Sequence, residues 1–296
     1  MIKYEWRSAL TPAETTELSD MLSRAASYDA EPEYPTIQIA DVLESMSDPD
    51  SGARHLVLWM LPYATLLNEH DRPEQIAGLL RLVVGPDGTA EATLVIEPRL
   101  RSIGITTLLI ERVGLDTAAP DGWLGTGARQ ITSWAQGNHP AAGRLSDRFL
   151  IPRTRRIWKL IGPATPAFAG AAPVVETITA AEVTALGWAG GLGAAPLHAV
   201  RSGDQIIGVA RIDIDPVESE EFGSCATLTG YRVPPATPAA YRRDLLTATA
   251  DIAHRESRTG VIIYVDSDDR DWVNACRLSG FQHDRTDVRF QLGDQQ

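Results

Sequence analysis

The sequence predicts an α/β chain of the α+β, mixed-sheet kind, arranged as two units of like order. Its length, a repeated strand motif and the order of strand-like and helix-like segments carry that prediction. At 296 residues the chain is about twice an ordinary domain, which leaves room for two hydrophobic cores. Gln75-Ile76-Ala77-Gly78-Leu79-Leu80-Arg81-Leu82-Val83-Val84 matches Gln205-Ile206-Ile207-Gly208-Val209-Ala210-Arg211-Ile212-Asp213-Ile214 at Gln, Ile, Gly and Arg, 130 residues on. Self-similarity at a fixed offset marks a duplicated architecture. Both copies read as strands. Each follows an apolar strand (Arg54 to Trp59, Leu197 to Val200) and precedes a turn, Gly85-Pro86-Asp87-Gly88 in one and Asp215-Pro216 in the other. Each half therefore opens on an antiparallel meander.

Beyond the meander the two halves keep the same order of strand, helix, strand, helix, strand. In the first half the segments are Ala92 to Ile96, Ile103 to Leu115, Ala128 to Ala135, Pro140 to Arg148 and Arg156 to Leu160. In the second they are Ala226 to Val233, Ala239 to Arg255, Gly260 to Val265, Asp271 to Leu278 and Asp287 to Leu292. A run of strands followed by alternating strand and helix implies a mixed sheet with helices on both faces. The Pro-, Gly- and Ala-rich stretch Gly162 to Pro173 reads as a linker. It places the boundary near residue 165, giving domains 1–165 and 166–296.

Composition narrows the function. A formal charge of -12 opposes nonspecific binding to nucleic acid or an anionic membrane, which depends on Lys and Arg neutralising phosphates. No apolar run approaches the roughly 20 residues of a membrane helix. The start, Met-Ile-Lys-Tyr-Glu-Trp, lacks the basic and apolar stretches of a secretory signal, so the expected location is the cytoplasm. Cys225 and Cys276 are too far apart for a CxxC motif and read as packing residues, and the histidines show no ligand spacing, so no metal is expected. Asp29, Glu31 and Glu33 form an acidic turn after the first helix. It reads as a solvated loop, with Glu31 a candidate to hold a sugar or amine.

The most informative segment runs from Ile96 to Leu109, where a strand ends at Pro98 and a helix begins near Gly104. A helix start offers unpaired NH groups and the positive end of the helix dipole, and so can receive a pyrophosphate. Gly104 lets the backbone approach closely, Thr106 and Thr107 keep the entrance open, and Arg99 and Arg101 add positive charge. A polar turn capped by Ser102 is the plainer alternative.

With the strand and proline before it, Arg101-Ser102-Ile103-Gly104-Ile105-Thr106 resembles the Arg/Gln-x-x-Gly-x-Gly/Ala loop of the GNAT acyl-CoA N-acyltransferases, with Thr106 in the last small position. Trp134-Ala135-Gln136-Gly137-Asn138-His139-Pro140-Ala141-Ala142 resembles the GNAT Asn-x-x-Ala element, and His139 reads as part of that helix entrance. Tyr264-Val265-Asp266-Ser267-Asp268-Asp269, with Gly280-Phe281, resembles its counterpart, Asp269 standing where asparagine is usual. Together with Arg155-Arg156-Ile157-Trp158, these segments resemble the mycothiol synthases, a tandem-GNAT family, over nearly the whole chain. The resemblance implies two tandem GNAT folds and acetyl-CoA as co-substrate. It implies Leu94, Val95, Ile96, Arg101, Ser102, Ile103, Gly104, Ile105, Thr106, Thr107 and Asn138 as cofactor-binding residues. The implied reaction is acetylation of the cysteinyl amine of a cysteinyl-glucosaminyl-inositol, in which a carboxylate accepts a proton and strand NH groups polarise the thioester. Thr227 and Asp266 fall at substrate-contacting positions.

The second half departs from the pattern. Pro238 stands in the Arg/Gln position of its loop, Tyr241 in the glycine position and Arg243 in the second small position, which removes a donor and restricts backbone approach. Thr227 stands where a substrate-contacting glutamate is expected, and Cys276 where a tyrosine would protonate departing CoA. Catalysis has then moved to the first half, uses substitutes such as Tyr231 or Glu221, or has been lost. In the first half Glu91 is the candidate base, against the plain reading of a solvated edge glutamate, and Leu145 and Ser146 occupy the region of the missing tyrosine. Three functions stay open: an acetyltransferase of the mycothiol-synthase kind, a GNAT for another amine, and a non-catalytic acetyl-CoA-binding protein.

Overall fold

The computed structural model describes residues 2–30, 34, 36–61, 74–165, 173–193 and 196–293. Contacts divide the chain into two units, Met1–Arg155 with Asp287–Gln296, and Arg156–Thr286. These bounds differ from a cut near residue 165. The chain passes from one unit to the other inside strands, because main-chain hydrogen bonding outweighs the local Pro/Gly signal of the linker. Residues 166–172 of that linker lie outside the described residues.

In the first unit the order is β1 (Ile2–Arg7), α1 (Pro12–Asp29), α2 (Ile39–Ser47), β2 (Ala53–Met60), β3 (Gln75–Val84), β4 (Thr89–Ile96), α3 (Ile105–Val113), β5 (Gln130–Ala135) and α4 (Pro140–Phe149). Its sheet runs β1-β2-β3-β4-β5, and Val288–Leu292 from the last strand of the chain then pairs antiparallel with β5. Neighbours are antiparallel except β4 and β5. The second unit holds most of β6 (Arg153–Pro163), then β7 (Val174–Ile178), α5 (Ala180–Ala185), β8 (Leu197–Ser202), β9 (Gln205–Ser219), β10 (Gly223–Arg232), α6 (Ala239–Arg255), β11 (Gly260–Asp266), α7 (Arg270–Leu278) and the start of β12 (Gln282–Leu292). Its order is β7-β8-β9-β10-β11-β6, with β10 and β11 the parallel pair. The order is the same in both, except that each sheet is finished by the strand ending the other half of the sequence.

Side-chain alternation assigns the faces. Leu80, Leu82, Ala90 and Ile131 pack with Ile105 and Leu109 of α3. The intervening Leu79 and Val95 pack with Leu18, Met21 and Leu22 of α1 and Val42 of α2. In the second unit Val200, Ala210, Leu228 and Ile263 meet α6 and α7, while Ala199 and Val209 meet Val183 of α5. Both units are thus mixed sheets with helices on both faces.

The repeated Gln-Ile-x-Gly motif has a structural meaning. Register slips by one residue between Leu58↔Gly78 and Trp59↔Ile76, and again between Val200↔Gly208 and Arg201↔Ile206. Ala77 and Ile207 are therefore the extra residues of matching bulges. A Cβ on Gly78 would lie 2.7 Å from the Val95 carbonyl oxygen, and one on Gly208 would lie 2.4 Å from Leu245 Cδ1. Gly78 is forced by the approach of backbone, and a Cβ at Gly208 would have to displace the buried Leu245 side chain. The helices α1 and α5 also open alike, each on a Thr-x-x-Glu capping box, Thr11 with Glu14 and Thr179 with Glu182.

His55 on β2 is only 2% exposed, and its Nε2 lies 3.2 Å from Ser45 Oγ of α2. Burial, and then the guanidinium groups of Arg81 and Arg54, lower its pKa to about 4. The folded chain keeps the ring neutral while the unfolded chain takes up a proton below about pH 6.5, so stability is lost as pH falls from there toward about 4. Urea unfolding at about pH 7 and about pH 4.5 is expected to show a loss of about 2 kcal/mol from this residue. His55→Gln should remove that part of the acid sensitivity.

Candidate active site

In the first unit the parallel ladder between β4 and β5 lasts only three pairs, Thr89↔Gln130, Ala90↔Ile131 and Glu91↔Thr132. Beyond it β4 continues on β3, through Thr93↔Arg81 to Ile96↔Gly78, while Ser133 and Ala135 of β5 pair with Phe290 and Val288. The two strands part, so Leu94, Val95 and Ile96 stand on an edge of β4 that β5 does not cover. An extended chain with amide groups can lie along such an edge and take the hydrogen bonds a strand would have made.

β4 leads into a 3-10 turn at Pro98–Leu100 and then into α3, entered through Gly104. Ser102 has φ 66° and Gly104 φ 89°, and nothing lies within 4 Å of a Cβ built on Gly104. Its glycine character answers to backbone conformation and to the space in front of it. Among the described residues, the NH groups of Ser102 through Thr107 find no backbone or side-chain acceptor. A row of unpaired donors at a helix start with Cβ-free space before it fits a pyrophosphate, and these are the atoms that would hold the diphosphate of an acyl-CoA. Ile103 is 54% exposed at the rim.

Arg101 serves this loop differently from the sequence expectation. Its guanidinium donates to both oxygens of Asp29, at 2.6 and 2.7 Å, and to the Ile96 carbonyl at 3.1 Å. Asp29 ends α1 and is 5% exposed, so it is not part of a solvated acidic turn. The bidentate pair raises the pKa of Arg101 and cancels its charge. Arg101 braces the loop from below, and Arg99, exposed and without an ion pair among the described residues, is the cation left to face an anion. Glu31 and Glu33 lie outside the described residues.

Three neighbours of the loop take structural places, and of these Glu97 carried no signal in the sequence. Glu97 is 1% exposed and takes Arg24 Nε and Nη2 on one oxygen at 3.0 and 2.7 Å, which fixes α1 to the end of β4. His139 is the residue that caps α4, its Nδ1 accepting from Ala141 NH at 3.1 Å, whereas Asn138 is exposed in a left-handed conformation at φ 48°. Burial, and then Arg101, lower the pKa of His139, and its ring lies 4.6 Å from that of Tyr34. The Pro after His139 was a usable signal for a cap. Ser146 is buried and donates to the Ile151 carbonyl at 2.8 Å, a structural bond.

Glu91 is exposed on the face of β4 away from α3. It lines an open cavity of about 470 Å³ with Arg81, Val83, Gly85, Thr89, Thr93, Gln130 and Thr132. Glu91↔Thr132 is the last paired row of β4 and β5, so the cavity lies over the point where the strands part.

The same point is closed in the second unit. β10 and β11 pair from Cys225↔Gly260 to Leu228↔Ile263, and beyond that the Tyr231 hydroxyl donates to the Tyr264 carbonyl at 2.8 Å across the gap. Its ring lies 4.4 Å from Trp272 of α7. Burial raises the pKa of Tyr231, so its place is that of a plug and its hydroxyl is poorly suited to move protons. Pro238 stands just before α6, at a start with no side-chain cap, and Arg242 binds Asp271 at 2.9 Å, tying the two helix starts together. Thr227 lies within the paired ladder, and Asp266 accepts from Asp268 NH at 3.0 Å. Asp269 caps α7 through Trp272 NH. Cys276 is fully buried and burial raises its pKa to about 12, so neither a nucleophile nor a proton donor stands there.

No known family profile matches the chain. Over 111 residues it is 32% identical to a mycothiol acetyltransferase of Sanguibacter keddieii, a match covering 36% of this chain and 33% of that protein. The chain thus spans about a third of that relative's length. Among solved structures it resembles a GCN5-related N-acetyltransferase from Sphaerobacter thermophilus, with TM-score 0.58 and 16% identity, covering 97% of this chain and 95% of that one. It also resembles a tandem GNAT protein from the clavulanic acid biosynthesis pathway, with TM-score 0.58 and 12% identity over the full length of both chains. The fold is that of a tandem GCN5-related N-acetyltransferase.

Arg101→Met is expected to leave Asp29 buried without its partner and to cost about 3 kcal/mol in urea unfolding. Asp29→Asn in the same chain should recover part of that loss. Both variants should bind CoA more weakly in a calorimetric titration, because the loop loses its brace.

Proposed function

We propose that the protein is an acetyl-CoA-dependent N-acetyltransferase for a small-molecule amine and that its first unit performs the transfer. The observation that carries this reading is the contrast between the two gaps, open beside Leu94, Val95 and Ile96 in the first unit and bridged by Tyr231 in the second. The thioester arm of acetyl-CoA would lie along β4, its diphosphate on the NH groups of Ser102 through Thr107. The neutral amine attacks the thioester carbonyl, the C–N bond forms and the C–S bond breaks. Glu91 accepts the proton lost from nitrogen, and the departing thiolate is protonated to CoA. Backbone NH groups of β4 stabilise the charge that builds on the carbonyl oxygen.

The partial match to a mycothiol acetyltransferase favours cysteinyl-glucosaminyl-inositol as the acceptor. A different small amine is favoured by Arg81 and Glu91, two charges in the cavity beside the gap that have no ion pair among the described residues.

Acetyl-CoA consumption with cysteinyl-glucosaminyl-inositol tests the reading. Gly104→Tyr should lower turnover by at least about 100-fold by filling the diphosphate site. Gly104→Ala, which adds strain and little bulk, should lower it by about 10-fold or less, a loss of about 1 kcal/mol. Ala239→Tyr, at the first residue of α6, should leave it unchanged. Turnover abolished by Ala239→Tyr and indifferent to Gly104→Tyr would place transfer in the second unit.

A further inference from the structure

The cavity beside the strand gap is built in three rows across β3, β4 and β5. The first is Arg81 beside Thr93, the second Val83, Glu91 and Thr132, and the third Gly85, Thr89 and Gln130. Arg81 and Val83 share a face with Leu79, and Glu91 and Thr93 share it with Val95, so the floor is the face that α1 and α2 cover farther along. The first row is the first beyond the β4–β5 ladder, which is where a thioester lying on the free edge of β4 would end.

Arg81 is the unusual member. Its Nε is buried without a hydrogen-bond partner, and among the described residues its guanidinium makes neither a hydrogen bond nor an ion pair. Its partner across the strands is His55 on one side and Thr93 on the other. Neither offers a negative charge, and burial with the nearby guanidinium groups keeps His55 neutral. Glu91 is likewise unpaired. The two sit diagonally across an antiparallel pair, with backbones roughly 7–8 Å apart. Arginine is costly to leave without an acceptor and matches a carboxylate with two parallel bonds. The other polar side chains of the lining, three threonines and a glutamine, both donate and accept.

We propose that this cavity is the acceptor pocket and that Arg81 selects an amine bearing a carboxylate, an amino-acid-like acceptor whose carboxylate it binds while Glu91 faces the amine. The inference rests on acetyl transfer by the first unit. It separates acceptors by a charge that cysteinyl-glucosaminyl-inositol does not carry. Arg81 here is a specificity residue, acting on the non-reacting end of the acceptor.

The test is kcat/KM for L-α-amino acids against the carboxamide of each, with cysteinyl-glucosaminyl-inositol alongside, in the intact protein and in Arg81→Met and Arg81→Lys. A charge-assisted pair predicts that the preferred amino acid exceeds its carboxamide by about 10-fold or more. Arg81→Met should reduce that preference to about 3-fold or less, mainly through acceptor KM, with the KM for acetyl-CoA and the melting temperature unchanged. Arg81→Lys should keep part of it. Equal use of acid and carboxamide, a preference untouched by Arg81→Met, or fastest turnover of cysteinyl-glucosaminyl-inositol independent of Arg81 overturns the proposal while leaving acetyl transfer standing. Should the intact protein transfer acetyl to nothing, the transfer reading fails by itself. The pocket is then judged by saturation-transfer NMR with the same acid and carboxamide pairs. Acid-selective binding lost in Arg81→Met supports it, and no such binding overturns it.

Discussion

The short ladder between β4 and β5 is the constraint on which the first unit depends. Two parallel strands that paired along their full length would leave no free backbone on either. Here β4 is held on its other side by β3, from Val84↔Ala90 to Gly78↔Ile96, and β5 is drawn to Val288–Leu292. The divergence leaves backbone groups of β4 without a strand partner, and an unpaired polar backbone favours a ligand that replaces the missing strand. The loop that follows is held in place rather than left loose. Glu97 with Arg24, and Arg101 with Asp29, fasten both of its ends to α1.

The two units show how one topology is opened or shut by few side chains. Strand order, the one parallel pair, the bulge before each repeated glycine and the Thr-x-x-Glu helix start are common to both. What differs is local. Tyr231 reaches across the gap to a carbonyl, Trp272 fills the space behind its ring, and Arg242 with Asp271 joins the starts of α6 and α7. Those contacts occupy in the second unit the place that stays open in the first. A proline and a tyrosine in the loop sequence gave notice of this change, but the tyrosine that closes the gap stands on the strand.

Local patterns were legible and distant partners were not. The strand Gln75–Val84, read from its repeat, and the helix Ala239–Arg255, read from the shared order of segments, have the expected bounds, and Gly104 does open α3. Shorter elements such as β7 and α5 carry too few periodic residues to stand out. Arg101 reads as a phosphate ligand because sequence shows its neighbours in the loop and not Asp29, 72 positions earlier. Glu91 is singled out by the sequence and Arg81 is not, and only register brings the two to one cavity. The contrast between Asn138 and His139 is subtler, since a family pattern drew attention to the first while backbone conformation gave the cap to the second.

The exchange of final strands has a consequence for how the chain is made. The first unit includes Asp287–Gln296, so its sheet lacks a member until Val288–Leu292 have left the ribosome. The nascent first half carries β5 with a bare edge throughout that interval, and bare edges invite mispairing. The second unit, in turn, receives β6 before any of its other strands exist. A chain with this wiring matures from both sequence halves at once, and its two halves are interdependent as translation products.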